Sequence, residues 1–377
     1  MSSTLKTREA LLALALTGCM GAAQAQSSYA LTKLSEPFLG KHDIYGNAGQ
    51  IDSQNRVTAT GRYVSGFTLY SWGQNPGFTY TNYVSRWPAS TAASVSPSKL
   101  ITQAGSFSHQ SSDGSKIFLI LSAKPGHYYD TAKRQFVEVP APGNSAHWAV
   151  NAVNDSGAMA GIDYDNQGIP SATGTRALRW TPGAAAPEVL PMGSEFDRSS
   201  ASFINREGAV VGKVEEVGAR LSRAVVWRES GAFEVLNNEP DTLSSPLGVT
   251  DSGDVLIWKE KVGTSESIYA VVSNGVTQSI AAPNPRDQLS RITINANGVV
   301  VGTVTQPSAP EGFRERGFIW KDGVFTDLTA WVTAKSLKLP QGAVISAAWQ
   351  INAQGSILAS LREANGTTSV VRLTAKP

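Results

Sequence analysis

The sequence predicts an all-β fold, a seven-bladed β-propeller whose blades are four-stranded antiparallel sheets. Three observations predict it. A short hairpin motif recurs seven times, a strand that ends in tryptophan follows several of the copies, and an isolated strand near the N-terminus matches a strand missing from the last unit. Together these features describe a ring of repeated units that closes on itself.

The hairpin motif consists of an apolar residue with Asn or Asp, a short turn that usually contains Gly, and a short apolar run. Its clearest copies are Ile204–Gly212 and Ile294–Gly302. The seven copies begin at Ile51, near Ser112, and at Val153, Ile204, Val249, Ile294 and Ile351. Asn at the first turn position can hydrogen-bond its own backbone, and Gly at the fourth lets the chain reverse. The motif therefore predicts a tight hairpin between the first two strands of each unit.

Two further strands follow the hairpin. The third ends in tryptophan, as in Arg176–Trp180, Arg223–Trp227 and Arg316–Trp320. A Gly-containing turn then leads to a fourth strand, as in Gly231–Leu236 and Gly323–Leu328. The runs are short, β-branched and mostly apolar, which is typical of strands buried on both faces.

The spacing of the turns indicates the type of repeat. The turn residues at positions 55, 114, 157, 208, 253, 298 and 355 are 43 to 59 residues apart, with a mean of 50. Leucine-rich and hexapeptide repeats are shorter than this, whereas four-stranded propeller blades recur about every 40 to 50 residues.

The two chain ends predict how the ring closes. The last unit offers three strands, Ala348–Asn352, Gly355–Leu361 and Ser369–Thr374, and then the chain stops. Tyr29–Leu34 has the character of a fourth strand without a unit of its own. We expect it to complete the last blade, which would leave no exposed sheet edges.

These units resemble those of the HAF-repeat family of bacterial extracellular proteins, in which an Ile-Asn, Gly, Val-Val-Gly hairpin precedes an Ala-x-x-Trp strand and a Gly turn. The resemblance covers residues 29–374. The strand that carries the family's name-giving His-Ala-Phe triplet reads Arg176-Ala177-Leu178 and Arg316-Gly317-Phe318 in two units, so no role of that histidine is carried over. The resemblance implies a fold and export rather than a chemistry.

The N-terminus predicts export. Lys6 and Arg8 precede an apolar run, and small residues follow up to Ala25, so residues 1–25 form a Sec-type signal peptide and residues 26–377 a single propeller domain. Leu16-Thr17-Gly18-Cys19 also resembles a bacterial lipobox, in which Cys19 would be lipidated. The sequence leaves both routes open, a periplasmic or extracellular protein or an envelope lipoprotein.

Composition and charge exclude several classes of partner and site. The net charge is +2 and there is no run of Lys and Arg, so a nucleic-acid binder is not expected. One cysteine and four histidines exclude a disulfide framework and a Cys-based zinc site. We expect a monomer without metal or cofactor, in contact with a membrane only through the possible lipid anchor.

The predicted binding surface is the face with the longer connections, because a rigid scaffold presents variable loops there. The region Tyr63–Trp87, interpreted as a loop, holds eight aromatic residues. Aromatic faces stack on sugars or on partner side chains. The proposed ligand-binding residues are Tyr70, Trp72, Phe78 and Tyr80. The alternative places Phe78, Tyr80 and Trp87 in the core of the first blade.

Three weaker candidates have an ordinary alternative beside them. The segment Gly126–Asp130, with His109 and His147, could ligate a metal or supply a base, or these could be scattered strand residues. Asp163–Gly168 lacks the ligand pattern of an EF-hand and leaves only an irregular calcium site. The charged segments Glu195–Arg198, Asn284–Asp287 and Glu311–Arg316 could rim a central cavity or be solvated loops.

No catalytic residue can be identified from the sequence, because it contains neither a Gly-x-Ser-x-Gly elbow nor a phosphate-binding loop with Lys. The first hypothesis is a non-catalytic binding module for a protein or a polysaccharide. The competing hypothesis is a propeller enzyme, a lyase or glycoside hydrolase, with carboxylates or histidines at the central cavity. A surface structural protein is a third possibility.

Overall fold

The structure is a computed structural model. It describes residues 28–35, 40–43, 49–68, 77–96, 98–101, 106–120, 126–143, 145, 147–164, 174–216, 218, 221–231, 233–264 and 267–376. Within these ranges, the side chains of residues 40–43, 62–68, 77–81, 106 and 120 are outside the description.

The described chain is built almost entirely of strands. The first half contains β1 (Tyr29–Leu34), β2 (Gly40–Asp43), β3 (Gly49–Ile51), β4 (Val57–Thr68), β5 (Gly77–Trp87), β6 (Ser94–Val95), β7 (Ser98–Ile101), β8 (Ser106–Gln110), β9 (Lys116–Ile120), β10 (His127–Asp130), β11 (Gln135–Glu138), β12 (Trp148–Val153), β13 (Met159–Asp163), β14 (Arg176–Trp180) and β15 (Glu188–Val189). The second half contains β16 (Arg198–Ile204), β17 (Val210–Glu216), β18 (Leu221–Trp227), β19 (Phe233–Val235), β20 (Thr242–Val249), β21 (Val255–Lys261), β22 (Ser267–Ser273), β23 (Val276–Ile280), β24 (Gln288–Ile294), β25 (Val300–Thr305), β26 (Glu315–Lys321), β27 (Val324–Asp327), α1 (Leu328–Ala334), β28 (Val344–Ile351), β29 (Ile357–Arg362) and β30 (Thr368–Ala375).

These strands form seven sheets, one per predicted unit, which confirms the seven-bladed propeller. Blade 1 consists of β2, β4, β5 and β7, with β3 also paired to β4. Blades 2 to 6 are β8–β11, β12–β15, β16–β19, β20–β23 and β24–β27, each an antiparallel meander. Blade 7 has the order β28, β29, β30, β1, with β6 added alongside β1.

Blade 7 joins the two ends of the chain. Strand β1 runs antiparallel to β30, from Tyr29 opposite Ala375 to Lys33 opposite Val371. The guanidinium of Arg372 in β30 is fully buried and donates to the carbonyls of Asn55 at 2.5 Å and of Pro88 at 2.8 Å, and to that of Ser90. This arginine therefore ties the last blade to the first by hydrogen bonds as well as by apolar packing.

All seven predicted turns have the expected backbone. Residues 55, 114, 157, 208, 253, 298 and 355 have φ between +62° and +93°. Six of them are Gly, and the exception is Asn55, a residue type that tolerates this left-handed region. In the clearest copies the side-chain oxygen of the first turn residue accepts the backbone N–H four residues later, as in Asn205 Oδ1 with Ala209 N at 2.8 Å.

The same asparagines also connect neighbouring blades. The Nδ2 group of Asn154 donates to Asn205 O at 3.0 Å, that of Asn205 to Thr250 O at 3.0 Å, and that of Asn295 to Asn352 O at 2.9 Å. Asn352 Nδ2 donates to Asp52 O at 2.7 Å, which links blade 7 to blade 1. Each asparagine thus closes its own turn with its oxygen and holds the next blade with its nitrogen.

Backbone groups complete this ring where the turn begins with another residue. Asp251 N donates to Ala296 O at 3.2 Å, between blades 5 and 6. Ser53 N donates to Ser112 O at 2.7 Å, between blades 1 and 2. The last link, between blades 2 and 3, is a 2.8 Å bond from Asp113 N to Asp155 Oδ1. We call this closed series of inter-blade hydrogen bonds the turn ring.

The third-strand tryptophans fill the space between blades. Trp87, Trp180 and Trp227 are at most 2% exposed. The indole N–H of Trp180 donates to Pro140 O at 2.7 Å, and that of Trp87 to Ser35 O at 3.1 Å. Their partners lie on the connections that enter each blade, so a large apolar ring is buried while its one polar group stays hydrogen-bonded.

Helix α1 and the bulges of the innermost strands were not predicted. Helix α1 begins at Leu328, where the fourth strand of its unit was expected to end, because Asp327 Oδ1 caps it by accepting Ala330 N at 3.0 Å. Leu328 and Val332, one turn apart, are fully buried. The innermost strands of blades 2 to 7 also contain β-bulges, which the repeat pattern does not reveal.

Substitutions at Asn205 should separate the two roles of the turn asparagine. Asn205→Thr keeps a turn acceptor, as Thr250 does in blade 5 (Asp254 N to Thr250 Oγ1, 2.9 Å), but loses the inter-blade donor. We expect a loss of about 1–2 kcal/mol in unfolding free energy for Thr and about 2–4 kcal/mol for Asn205→Ala, which leaves both backbone partners unpaired. Urea denaturation measures both. Equal losses for the two variants would contradict a separate inter-blade role.

Candidate functional site

The propeller has two unlike faces. The hairpin face carries the tight turns between first and second strands and, in most blades, a short connection between third and fourth strands. The long-loop face carries the connections between second and third strands and between blades, including residues 306–314 and helix α1. Cavities occur on both faces. Their side chains indicate which face is better suited to bind a ligand.

The central cavity opens on the hairpin face and has a volume of about 280 Å³. All seven blades contribute to its wall, mainly through turn amides, glutamines and backbone groups: Gln50, Gln110, Asn154, Asn205, Leu247, Asn295 and Gln350 are among the lining residues. The turn ring therefore forms much of the wall, and most of its hydrogen-bonding groups are already paired.

The charged groups of the central cavity are Asp155, Arg206 and Asp251. Asp251 Oδ1 accepts the backbone N–H of Arg206 at 3.3 Å, and its Oδ2 lies 3.7 Å from Arg206 Nε. Asp155 Oδ1 accepts Asp113 N. Burial raises the pKa of the Asp155 carboxyl, and the Asp113 carboxylate nearby adds to the rise. Asp155 is thus the carboxyl of this cavity that most resembles a general acid.

A second cavity, of about 300 Å³, lies on the long-loop face between blades 6 and 7. Its charged groups are Arg291 of β24, Arg314 and Glu315 before and in β26, and Arg362 at the end of β29. The remaining lining residues are small, hydroxyl-bearing or aromatic: Gly312, Ser346, Ala347, Trp349, Ser360 and Thr368. We call this recess the arginine pocket.

Close packing positions the arginine side chains of this pocket. Arg362 lies over Phe313, with its guanidinium carbon 5.8 Å from the ring centroid. Gly312 has φ +87°, and a Cβ atom there would lie 2.6 Å from Arg362 Nη2. Arg314 Nε donates to Ala309 O at 3.4 Å. Arg291 lies in the bulge of β24 at φ +52°, a strained conformation for a non-glycine residue.

The corresponding cleft between blades 3 and 4 is smaller, about 150 Å³, and has a different charge pattern. It is lined by Arg198, Lys213 and Glu215 among others, and Lys213 Nζ forms a salt bridge with Glu215 Oε1. The accumulation of arginines is therefore a property of the blade 6 and 7 cleft rather than of the repeat.

The aromatic candidates fall mostly outside the description. Tyr70 and Trp72 lie outside the described residues, and Phe78 and Tyr80 lie in strand β5 with side chains that are not described. The interpretation of Tyr63–Trp87 as one loop is wrong, because β4 and β5 form a long hairpin that leaves only residues 69–76 between them. Aromatic and β-branched residues favour strands, which explains the difference. Trp87 and Tyr83, 0% and 5% exposed, belong to the core.

The histidine candidates are not brought together into a site. His109 is 9% exposed and stacks on Phe118, with ring centroids 4.5 Å apart, while its Nδ1 lies 3.1 Å from Ser108 Oγ. Asp130 accepts backbone N–H groups of its own turn, from Ala132 and Lys133. Among the described residues, no group of three or more His, Cys, Asp or Glu side chains is arranged to hold a metal ion.

The other charged candidates have mixed outcomes. Asp163 accepts Ser145 Oγ at 2.5 Å, and residues 165–168 of the same segment lie outside the described residues. The charged segments between strands do not line the central cavity, whose wall comes from the turns. Arg314 and Glu315 instead reach the arginine pocket. Sequence reasoning missed Arg291 and Arg362, because only the fold brings β24 and β29 beside the loop that precedes β26.

Comparisons with known proteins identify the fold. No family model matches the chain and no curated protein matches it, so the HAF-repeat resemblance stays a prediction. The chain is similar to the propeller domain of the Trilobed protease from Pyrococcus furiosus, with a TM-score of 0.54, 12% identity, and coverage of 88% of this chain and 96% of that chain.

Two enzymes with propellers give similar scores. An acylaminoacyl peptidase from Pyrococcus horikoshii has a TM-score of 0.54 and 13% identity, and the match covers 88% of this chain but 51% of the peptidase. An oligogalacturonate lyase from Vibrio parahaemolyticus has a TM-score of 0.52 and 11% identity, with 92% and 98% covered. At these identities the likeness shows a shared propeller architecture.

The described residues contain no helix with the length and hydropathy needed to span a membrane.

The burial of His109 predicts a pH-dependent stability. Burial lowers its pKa to about 4, so the folded protein keeps the ring neutral while the unfolded chain binds a proton below pH 6.5. Unfolding free energy should therefore fall as the pH falls from 6.5 to 4, by up to about 3 kcal/mol. The His109→Phe variant, which keeps an aromatic ring on Phe118, should lose this part of the slope. Urea denaturation at pH 7.5, 6 and 5 measures the unfolding free energy of both proteins. An equal pH dependence of that free energy in the wild type and the variant would contradict the prediction.

Proposed function

We propose that this protein is a binding module that recognises a protein or polysaccharide through its long-loop face and does not transform it. The supporting observation is the side-chain content of the two larger cavities. In the part of the chain that the structure describes, neither contains a histidine or cysteine, and both carboxylates of the central cavity already accept hydrogen bonds. The second cavity has one carboxylate, that of Glu315, among three arginines. The guanidinium, amide and hydroxyl groups that make up most of the remaining polar lining bind ligands well but seldom act as acid or base near neutral pH.

The surrounding scaffold favours the same function. Propeller blades held together by the turn ring provide a rigid platform, and ligands are commonly bound by loops on such platforms. The proposal keeps the exported location that the N-terminal sequence predicts, where polysaccharides and surface proteins would be the available ligands. The aromatic residues Tyr70, Trp72, Phe78 and Tyr80 remain part of the proposed surface.

An enzyme is the second candidate, and one observation favours it. Asp155 lies in the central cavity with a raised pKa, as a general acid requires, and Asp251 supplies a second carboxylate on the same wall. The reaction class would then be glycoside cleavage at the hairpin face. The similarity to a lyase contributes only the architecture to this alternative.

The first test is binding and turnover measured on the same ligands. The purified protein is passed over immobilised neutral and acidic polysaccharides and over surface protein fractions, and the eluted ligand is examined for cleavage. We expect saturable binding without product. The Trp72→Ala variant should weaken binding by about 1–3 kcal/mol with an unchanged melting temperature. A loss of melting temperature alone would place Trp72 in the core, and product formation would overturn the non-catalytic proposal.

The Asp155→Asn variant tests the enzyme alternative. Because burial raises the folded-state pKa above the ordinary value of 3.8, the ionised carboxylate is disfavoured at pH 7, and the folded protein gains stability when this group is protonated. Asp155→Asn should therefore melt at the same or a higher temperature at pH 7, and the difference should vanish below about pH 3.8. If the wild-type protein cleaves a ligand and the folded Asp155→Asn variant cleaves it equally well, Asp155 is not the general acid of that reaction.

A further inference from the structure

We propose that the arginine pocket binds the carboxylate of an acidic sugar, a uronate unit of an anionic polysaccharide. This inference rests on the proposed function and specifies its ligand class and its site. Two of the pocket's three guanidinium groups lie at its exposed rim, and the third, that of Arg362, is half-buried.

The charge of the pocket is unbalanced. The pocket is lined by three guanidinium groups, those of Arg291, Arg314 and Arg362, and by one carboxylate, that of Glu315. Within the described chain, none of the three arginines forms a salt bridge. The nearby acids do not change this balance, because Glu363 is paired with Lys33 at 2.6 Å and Glu311 is exposed in the loop before β26. A chain with a net charge of +2 thus concentrates an excess of two positive charges in one cleft.

The Arg362 guanidinium is also held in place by its neighbours. Arg362 Nε is buried and has no hydrogen-bond partner among the described residues, although a buried donor is normally satisfied. Contacts with Gly312 and Phe313 position the guanidinium, and Arg291 is held in a strained backbone conformation at the bulge. Guanidinium groups match carboxylates in a planar, two-bond geometry, so an incoming carboxylate would satisfy donors that now have no partner.

The rest of the pocket favours a sugar as the carrier of that carboxylate. Ser346, Ser360 and Thr368 of blade 7 add hydroxyl groups to the wall, which suit the hydroxyls of a sugar ring, and Ser346 Oγ also donates to Ser360 O at 3.3 Å. Phe313, next to the lining residue Gly312, is 39% exposed, and the part of its ring that Arg362 does not cover can stack on a sugar. The recess is a compact hollow between two blades rather than a sheet edge or an apolar groove, the surfaces that usually bind extended or helical peptides.

The test uses isothermal titration of the purified full chain with alginate oligomers, a polyuronate, at low ionic strength. Dextran, poly-L-glutamate and inorganic phosphate are the comparison ligands. We expect alginate to bind and Arg362→Gln and Arg314→Gln to weaken it about 10- to 100-fold, since each removes a charge-assisted pair. Arg362→Lys should give an intermediate affinity, because lysine keeps the positive charge but lacks the planar pair of N–H donors that binds both carboxylate oxygens.

Matched controls separate local from general effects. Lys321→Gln removes one positive charge from the opposite face of the same blade and should leave affinity within about twofold. Gly312→Ala changes no charge but places a methyl group against Arg362, and should weaken binding. Gly263, also on the long-loop face, has a similar backbone conformation, with φ +81°, but nothing lies within 4 Å of its Cβ position. Gly263→Ala should therefore leave alginate binding unchanged. Melting temperatures of all variants identify any that are unfolded.

Each other outcome is informative. Saturable binding of dextran or a surface protein without alginate would overturn this inference while leaving the proposed function standing. Equal or tighter binding of poly-L-glutamate, or displacement of alginate by millimolar phosphate, would overturn the assignment to a uronate. Alginate binding that survives Arg314→Gln and Arg362→Gln would overturn the location. Failure of every ligand and surface fraction would overturn the proposed function itself.

Discussion

A single type of side chain, the asparagine that opens a hairpin turn, makes two essential hydrogen bonds at once. Its oxygen closes its own turn, and its nitrogen reaches the carbonyl of the next blade, as in Asn205 with Ala209 N and Thr250 O. Each blade contacts only its neighbours, so these hydrogen bonds add directional links to the apolar packing between adjacent sheets. The turn ring supplies those links all the way around the propeller.

The turn ring also shapes the chemistry of the hairpin face. Because neighbouring blades use the amides and carbonyls around the central cavity, few groups there remain for a ligand, and its two carboxylates already accept hydrogen bonds. The long-loop face has no equivalent requirement. Its side chains differ from cleft to cleft, as the arginine pocket and the Lys213–Glu215 cleft illustrate on the same framework. On the proposed function, structural and recognition roles therefore lie on opposite faces.

The candidate site illustrates the limits of linear reasoning. Arg314 and Glu315 stood in a charged segment that the sequence marked, but they share their pocket with Arg291 and Arg362, which no motif distinguishes. The histidines that the sequence grouped form no metal-binding cluster among the described residues, and His109 is a buried residue stacked on Phe118 whose pKa burial lowers. Proximity between blades depends on the packing of whole sheets, which leaves no short-range signal in the chain.

The sequence by itself determined the number of blades, the positions of the seven turns between first and second strands and the strands that end in tryptophan, because these depend on local patterns of Asn, Gly and short apolar runs that repeat with the fold. Tertiary structure alone decided the partners of the asparagine amides, the inner-strand bulges, the capped helix at Leu328 and the meeting of three arginines. Those features arise where one blade contacts another, and such contacts join residues that are far apart in the chain and follow no common spacing.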